Sequence, residues 1–81
     1  MITTDQVRAA RAMLRWTAQD LADASGVGVA TIRRMEVNDG LPSGQIRSLS
    51  AIQTAFEHAG VEFIGTPDDG PGVRLKKSSA K

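Results

Sequence analysis

The sequence predicts a mainly α-helical fold, with four helices followed by a short C-terminal β-strand or hairpin. Two observations predict it. Apolar residues recur at helical spacing before Gly60, in segments that glycine, proline or cap-forming residues separate. After Gly60 the apolar residues alternate and are rich in β-branched and aromatic types, which is typical of strands. We therefore divide the chain into residues 1–60, residues 61–75 and a flexible basic tail over 76–81.

Composition narrows the class of protein. A chain of 81 residues makes one domain with a modest core, and its 41% hydrophobic and 23% charged residues are ordinary for a globular protein. The absence of cysteine excludes a disulfide framework and thiolate metal sites. We see no membrane-length apolar run and no signal-peptide pattern, so we expect a cytoplasmic protein. The net charge is only +1, so binding to nucleic acid would depend on where the charges lie.

The first two helices should begin at capping residues. Residues 3–6, Thr-Thr-Asp-Gln, have the form of a capping box, and apolar residues then follow at helical spacing. The pattern breaks near Trp16, and Thr17 offers a second cap, with Asp20 placed to suit the helix dipole. Leu21 and Ala22 lie on the apolar face of the second helix, which should end at Gly26.

The third helix should begin near Gly28, bury Ile32 and Met35, and end at residues 38–40. Pro42 predicts a loop before a fourth helix over about 44–59. Ser43 is its expected cap, and its apolar stripe is formed by Ile46, Leu49, Ile52 and Phe56.

The C-terminal region reads as a hairpin with a long loop. Residues 61–64 form the first predicted strand, 66–72 the loop and 73–75 the second strand. Residues 70–72, Gly-Pro-Gly, resemble part of a phosphate-binding loop, but the lysine and the following helix of such loops are missing. We interpret them as a turn.

Two short helices joined by a glycine turn indicate a helix-turn-helix. The helices cross closely, so Ala22 must be small where Ile32 presses on it. Gly26 supplies the positive φ that the turn needs. Gly28 lies at the start of the next helix, where a small residue lets the backbone approach a partner closely.

Residues 17–36, TAQDLADASGVGVATIRRME, resemble the Cro and lambda-repressor-like (XRE-type) helix-turn-helix regulators. The resemblance runs from about Val7 through the fourth helix, and its Leu-Ala…Gly-Val…Ile…Glu frame is specific. That family often joins its first and third helices by an arginine–glutamate pair, here Arg11 and Glu36. The region after the fourth helix is similar to small bacterial forms that add a strand or hairpin.

The resemblance implies a sequence-specific DNA-binding transcriptional regulator, expected to be a repressor, with residues 29–37 as its recognition helix in the major groove. The expected base contacts are Val29, Ala30 and Arg34. Many relatives have glutamine at the position of Ala18, where this chain has it one residue later. The expected contacts to the DNA backbone are Thr17, Gln19, Thr31, Arg33 and Asn38.

We expect this regulator to bind DNA as a homodimer, because one helix-turn-helix reads only a few base pairs. The fourth helix uses its apolar stripe on the domain's own core, which leaves the hairpin to pair with a second copy. The recognition helices would then lie about 34 Å apart, and a chain ending at Gly60 would be a folded monomer. The expected interface residues are Val61, Phe63, Ile64, Val73 and Leu75.

Simpler interpretations exist for several residues. Arg33 and Arg34 could form only a solvated helix face, and Trp16 is better explained as core filler than as a base-stacking residue. Lys76 and Lys77 suit a solubilising tail, with phosphate contact as the alternative.

An alternative function is an antitoxin-like or adaptor module, in which the strand over 61–64 captures a protein partner and DNA binding is secondary. We expect no enzyme, cofactor or metal. His58 has no cysteine or second histidine to join it, and no catalytic set of residues is evident.

Overall fold

The computed structural model describes residues 2–37 and 46–76. The predicted fold class is confirmed, since four helices precede a two-stranded antiparallel hairpin. The elements in chain order are α1 (Thr4–Leu14), α2 (Ala18–Ser25), α3 (Val29–Met35), α4 (Ile46–His58), β1 (Val61–Thr66) and β2 (Asp69–Leu75).

The start of α1 is a complete capping box. The Thr3 hydroxyl accepts a hydrogen bond from the Gln6 amide at 3.1 Å, and Gln6 Oε1 accepts one from the Thr3 amide at 2.8 Å. Both side chains are buried, so local capping and tertiary burial act together here. The helix ends at Arg15, which adopts the left-handed conformation with φ 57°.

The core lies between the helices and one face of the hairpin. Phe56 stacks on Trp16 with ring centroids 5.6 Å apart and meets the edge of Phe63 at 5.9 Å. Such aromatic pairs stabilise beyond their buried area. The aliphatic residues of the core are Ile2, Val7, Ala10, Leu21, Ala22, Ile32, Leu49, Ile52, Ala55 and Val61, joined by Met35.

The hairpin turn is tighter than the sequence predicts. Thr66 pairs with Asp69, so only two residues separate the strands in place of the long loop expected over 66–72. The register shifts between Ile64 and Thr66, and Gly65 lies there with φ 76°. A Cβ at Gly65 would lie 2.1 Å from the Gly70 carbonyl oxygen, so the backbones can approach this closely only with glycine at that position.

The hairpin belongs to the same core as the helices. Val61 is 1% exposed, and Phe63 and Val73 are half-buried against the core. The Gln6 side-chain amide donates to the carbonyl of Ile64 at 3.1 Å and to that of Gly72 at 2.8 Å. A chain ending at Gly60 would lose the core residue Val61 and leave the buried Gln6 amide without its two acceptors. We therefore expect such a chain to be strongly destabilised, in place of the folded monomer that the sequence suggests.

The burial of one residue and the end of one helix differ from the sequence expectation. Ile46 is 74% exposed and not part of the buried stripe, because it lies at the first residue of α4, before the helix reaches the core. The third helix ends at Met35, with Glu36 as its C-cap, earlier than residues 38–40. Asn38 and Ser43 lie outside the described residues.

Candidate nucleic-acid interface

The α2–α3 pair is held by small and apolar residues at its crossing. Leu21 and Ile32 are fully buried and Ala22 is 8% exposed. Between the helices, Gly26 has φ 79° and its amide donates to the Ala22 carbonyl at 2.9 Å. The Ser25 hydroxyl accepts from the Val27 amide at 3.1 Å, which orders the turn. This geometry is the one that the alanine, glycine and isoleucine positions predict.

The solvent face of α3 carries the predicted DNA-reading residues. Ala30, Arg33 and Arg34 are exposed, while Thr31 is half-buried. The Arg34 guanidinium donates to the Thr31 hydroxyl at 3.1 Å, a contact along one helix face. Val29 is half-buried and packs against the core, so its side chain is shared between the core and the surface. The face therefore presents two cations beside one small apolar residue.

The start of α2 presents a mixed set of groups. The Thr17 hydroxyl accepts from the Asp20 amide at 3.0 Å, and the Asp20 carboxylate accepts from the Thr17 amide at 2.9 Å. The hydroxyl hydrogen of Thr17 can still be donated to another group. Gln19 is exposed and donates to Asp23 at 3.0 Å, so the amide predicted to contact a phosphate lies against a carboxylate.

The predicted ion pair between Arg11 and Glu36 is formed through two hydrogen bonds. Arg11 Nε donates to Glu36 Oε2 at 2.9 Å and Nη2 donates to Oε1 at 2.7 Å. Arg11 Nη1 also donates to the Trp16 carbonyl at 3.0 Å. The two side chains are 23% and 12% exposed, so the pair is largely withdrawn from water. It joins α1 to the residue that ends α3.

Sequence reasoning missed two further contacts from α1 to the end of α3. Arg8 Nη2 donates to the Glu36 carbonyl, and the Thr4 hydroxyl donates to the Met35 carbonyl at 3.5 Å. A signal was present, because Thr4, Arg8 and Arg11 follow one another at i, i+4 and i+7 and so share a helix face. The pattern does not reveal which element that face meets.

Within residues 2–37 and 46–76, no group of three or more histidine, cysteine, aspartate or glutamate residues is placed to hold a metal ion. None of the described helices has the length and apolar character needed to cross a membrane.

Comparison with known proteins agrees with this geometry. The model of the helix-turn-helix family matches residues 7–46, a span that contains all of α2 and α3 and the Arg11–Glu36 pair. Searches of curated proteins and of solved structures give no match. This chain carries a DNA-binding helix-turn-helix domain of the Cro/lambda-repressor-like family.

Proposed function

We propose that this protein is a sequence-specific transcriptional repressor that binds DNA as a homodimer and reads the major groove with α3. The observation that carries the proposal is the exposed face of α3, which presents Arg33 and Arg34 on a helix held by its other face in the core. Arginine is the side chain that most often reads guanine, through two hydrogen bonds.

The exposed residues of α3 divide into base and backbone contacts in this proposal. Arg34 binds a guanine, and Ala30 and Val29 contact a thymine methyl group. The hydrogen bond from Arg34 to Thr31 limits the arginine's rotamers before DNA arrives. Arg33 binds a phosphate, which positions the helix without reading sequence. The remaining proposed backbone contacts are Thr17, Gln19, Thr31 and Asn38.

Gln19 lies beside a negative charge. Its amide nitrogen donates one hydrogen to Asp23 at 3.0 Å and keeps a second hydrogen for a phosphate, but the Asp23 carboxylate repels that phosphate. Replacing Asp23 with asparagine removes a negative charge beside the DNA, and we therefore expect tighter binding to all duplexes.

The proposed dimer uses the outward surface of the hairpin. Val61 is one of the five interface residues expected from the sequence. That expectation is wrong for Val61, because it is buried in the domain's own core. Phe63 and Val73 also pack inward, whereas Ile64 and Leu75 are 38% and 49% exposed. We propose that these two exposed residues lie at the centre of the interface.

The dimer is tested by sedimentation equilibrium of the full chain. Replacing Ile64 or Leu75 with glutamate should shift the protein toward monomer, because an interface would have to bury the new charge. Thr66→Glu is the matched control, since Thr66 is an exposed residue at the end of β1. A parent protein that is monomeric at micromolar concentration would refute the dimer.

The DNA-binding function is tested by selecting duplexes from a random library and measuring the affinity of the selected site. Arg34→Ala should cost about 1–3 kcal/mol and relax preference at one base pair. Arg33→Ala should weaken binding to every sequence and reduce the salt slope by about one. If Arg34→Ala binds as tightly as the parent, the proposed orientation of α3 in the groove is wrong.

Repression is tested separately, by placing the selected site in a reporter promoter, where the parent protein should lower transcription. The adaptor alternative predicts a different result in the selection experiment. A protein that only captures a protein partner would enrich no duplex and show no specific, salt-dependent binding.

A further inference from the structure

The C-terminal end of α3 is held by side chains of α1. Arg11 binds the Glu36 carboxylate, while Arg8 and Thr4 donate to the backbone carbonyls of Glu36 and Met35. The last carbonyls of any helix have no donor within the helix, so they must be satisfied from elsewhere. The amides of Glu36 and Val37 bind the carbonyls of residues 32–34. For the carbonyls of Met35 and Glu36, α1 supplies the donors.

These contacts matter because α3 has little stability of its own. It is seven residues long, far below the length at which an isolated helix is stable in water. Its N-cap, Gly28, has no side chain to accept a hydrogen bond from the first amides of the helix. The direction of the helix therefore depends on its buried residues, Ile32 and Met35, and on the groups that bind its C-terminal end.

Arg8 and Arg11 constrain that end differently. Arg11 binds a carboxylate at the end of a rotatable side chain, so the pair can persist while the backbone of α3 shifts. Arg8 binds the peptide carbonyl of Glu36 and so acts on the backbone itself. The other branch of the Arg8 guanidinium donates to Asp5 at 3.2 Å, which restricts its orientation. Arg8 is thus braced on one side and bound to the helix end on the other.

We propose that Arg8 is a positioning residue that sets the angle of α3 in the major groove. The inference rests on the proposed function, because it concerns how well α3 reads bases. Arg34 is only two residues before Glu36, so a pivot at the helix end displaces the guanidinium that reads guanine. Binding to non-specific DNA depends on charge near phosphates and tolerates such a pivot.

The test compares affinity for the selected site with affinity for a random duplex at one salt concentration. Arg8→Gln should lower this specificity ratio by about fivefold or more, the effect of losing one base contact of about 1 kcal/mol. Arg8→Lys keeps the charge and a donor nitrogen for the Glu36 carbonyl, so its ratio should be close to that of the parent. Arg15→Gln is the charge-matched control on exposed Arg15, which ends α1, and should weaken both affinities while leaving the ratio unchanged.

Asp5→Asn provides a second variant at an exposed position, 78% open to solvent, where loss of folding is not expected. It weakens the brace on Arg8, because the amide oxygen of asparagine is a neutral acceptor, and should lower the ratio by less than Arg8→Gln does. Equal ratios for the parent, Arg8→Gln and Asp5→Asn would overturn the inference while leaving the proposed function standing. A parent protein that selects no site would overturn both.

Discussion

The two helices of the motif, α2 and α3, are of similar length but begin in opposite ways. The eight residues of α2 start with a capping box, in which Thr17 and Asp20 satisfy each other's backbone amides. The seven residues of α3 start at Gly28, which has no side chain to offer. Within the described chain, no atom outside the adjoining backbone lies within 4 Å of where a Cβ on Gly28 would be. The start of α3 is therefore open to a partner.

The ends of the two helices differ as well. Gly26 ends α2 by a left-handed turn whose amide returns to Ala22, a contact within the same segment. The end of α3 depends on Arg8 and Arg11, which lie more than twenty residues earlier in the chain. Residues of its own segment thus close both ends of α2, whereas the end of α3 combines local bonds from the Glu36 and Val37 amides with donors from α1. The exposed side chains of α3, which the proposed function assigns to DNA, therefore take no part in capping their own helix.

Breaking the ion pair at the end of α3 should have the largest effect. Arg11→Met leaves the Glu36 carboxylate without its two donors in a site that is 12% exposed, and should lower the free energy of unfolding by about 3–5 kcal/mol. Urea denaturation followed by the fluorescence of Trp16, the sole tryptophan, measures it. The control is Arg74→Gln, which breaks the exposed pair with Glu62 and should cost about 0–1 kcal/mol. Equal losses would refute the claim that α3 depends on its tertiary contacts.

Overpacking the crossing of α2 and α3 should have the next largest effect. Ala22→Leu adds volume at a buried position and should cost about 1–3 kcal/mol. Ala24 is an exposed alanine of the same helix, so Ala24→Leu should leave the urea midpoint nearly unchanged. A melting temperature unaffected by Ala22→Leu would contradict the close crossing.

Removing the local cap of α2 should have a smaller effect. Thr17→Ala deletes the acceptor for the Asp20 amide and should cost about 1 kcal/mol. The loss should appear as faster hydrogen exchange in the first turn of α2, with α3 unchanged. Equal acceleration in both helices would mean that α2 is not stabilised locally.

Adding a cap to α3 should have the smallest effect. Gly28→Ser offers a hydroxyl to the first amides of the helix at a position where the backbone, with φ −62° and ψ 142°, suits a cap residue. Serine exceeds glycine as a cap by only a few tenths of a kcal/mol, so the unfolding free energy should rise by about that amount. A gain of more than about 1 kcal/mol would show that the start of α3 is limited by local sequence after all.

The sequence was most informative where structure depends on neighbouring residues. The caps at Thr3 and Thr17 and the glycine turn at Gly26 were all predicted, because each acts within a few residues. The burial of Val61 was not, since alternation shows that one face of a strand is apolar but not whether helices or a second subunit cover it. The contact from Arg8 to the end of α3 was not predicted for a similar reason, because the sequence does not show which element a helix face meets.

The short turn of the hairpin was not predicted, for a different reason. It depends on the close approach of Gly65 and Gly70, and these two residues come together only when the strands pair. Glycine and proline in that region predict a loop equally well, and only the strand register distinguishes the two.

The contact made by the Gln6 side chain affects when the domain can fold during protein synthesis. Its amide binds the carbonyl of Gly72, so a residue from the first turn of α1 requires a partner 66 positions later in the chain. Synthesis delivers those two residues several seconds apart, at about 5–20 residues per second. Until β2 has left the ribosome, the nascent helices lack both this acceptor and the apolar cover that Val73 provides. The domain therefore closes late, and until then its incomplete core is open to chaperones and proteases.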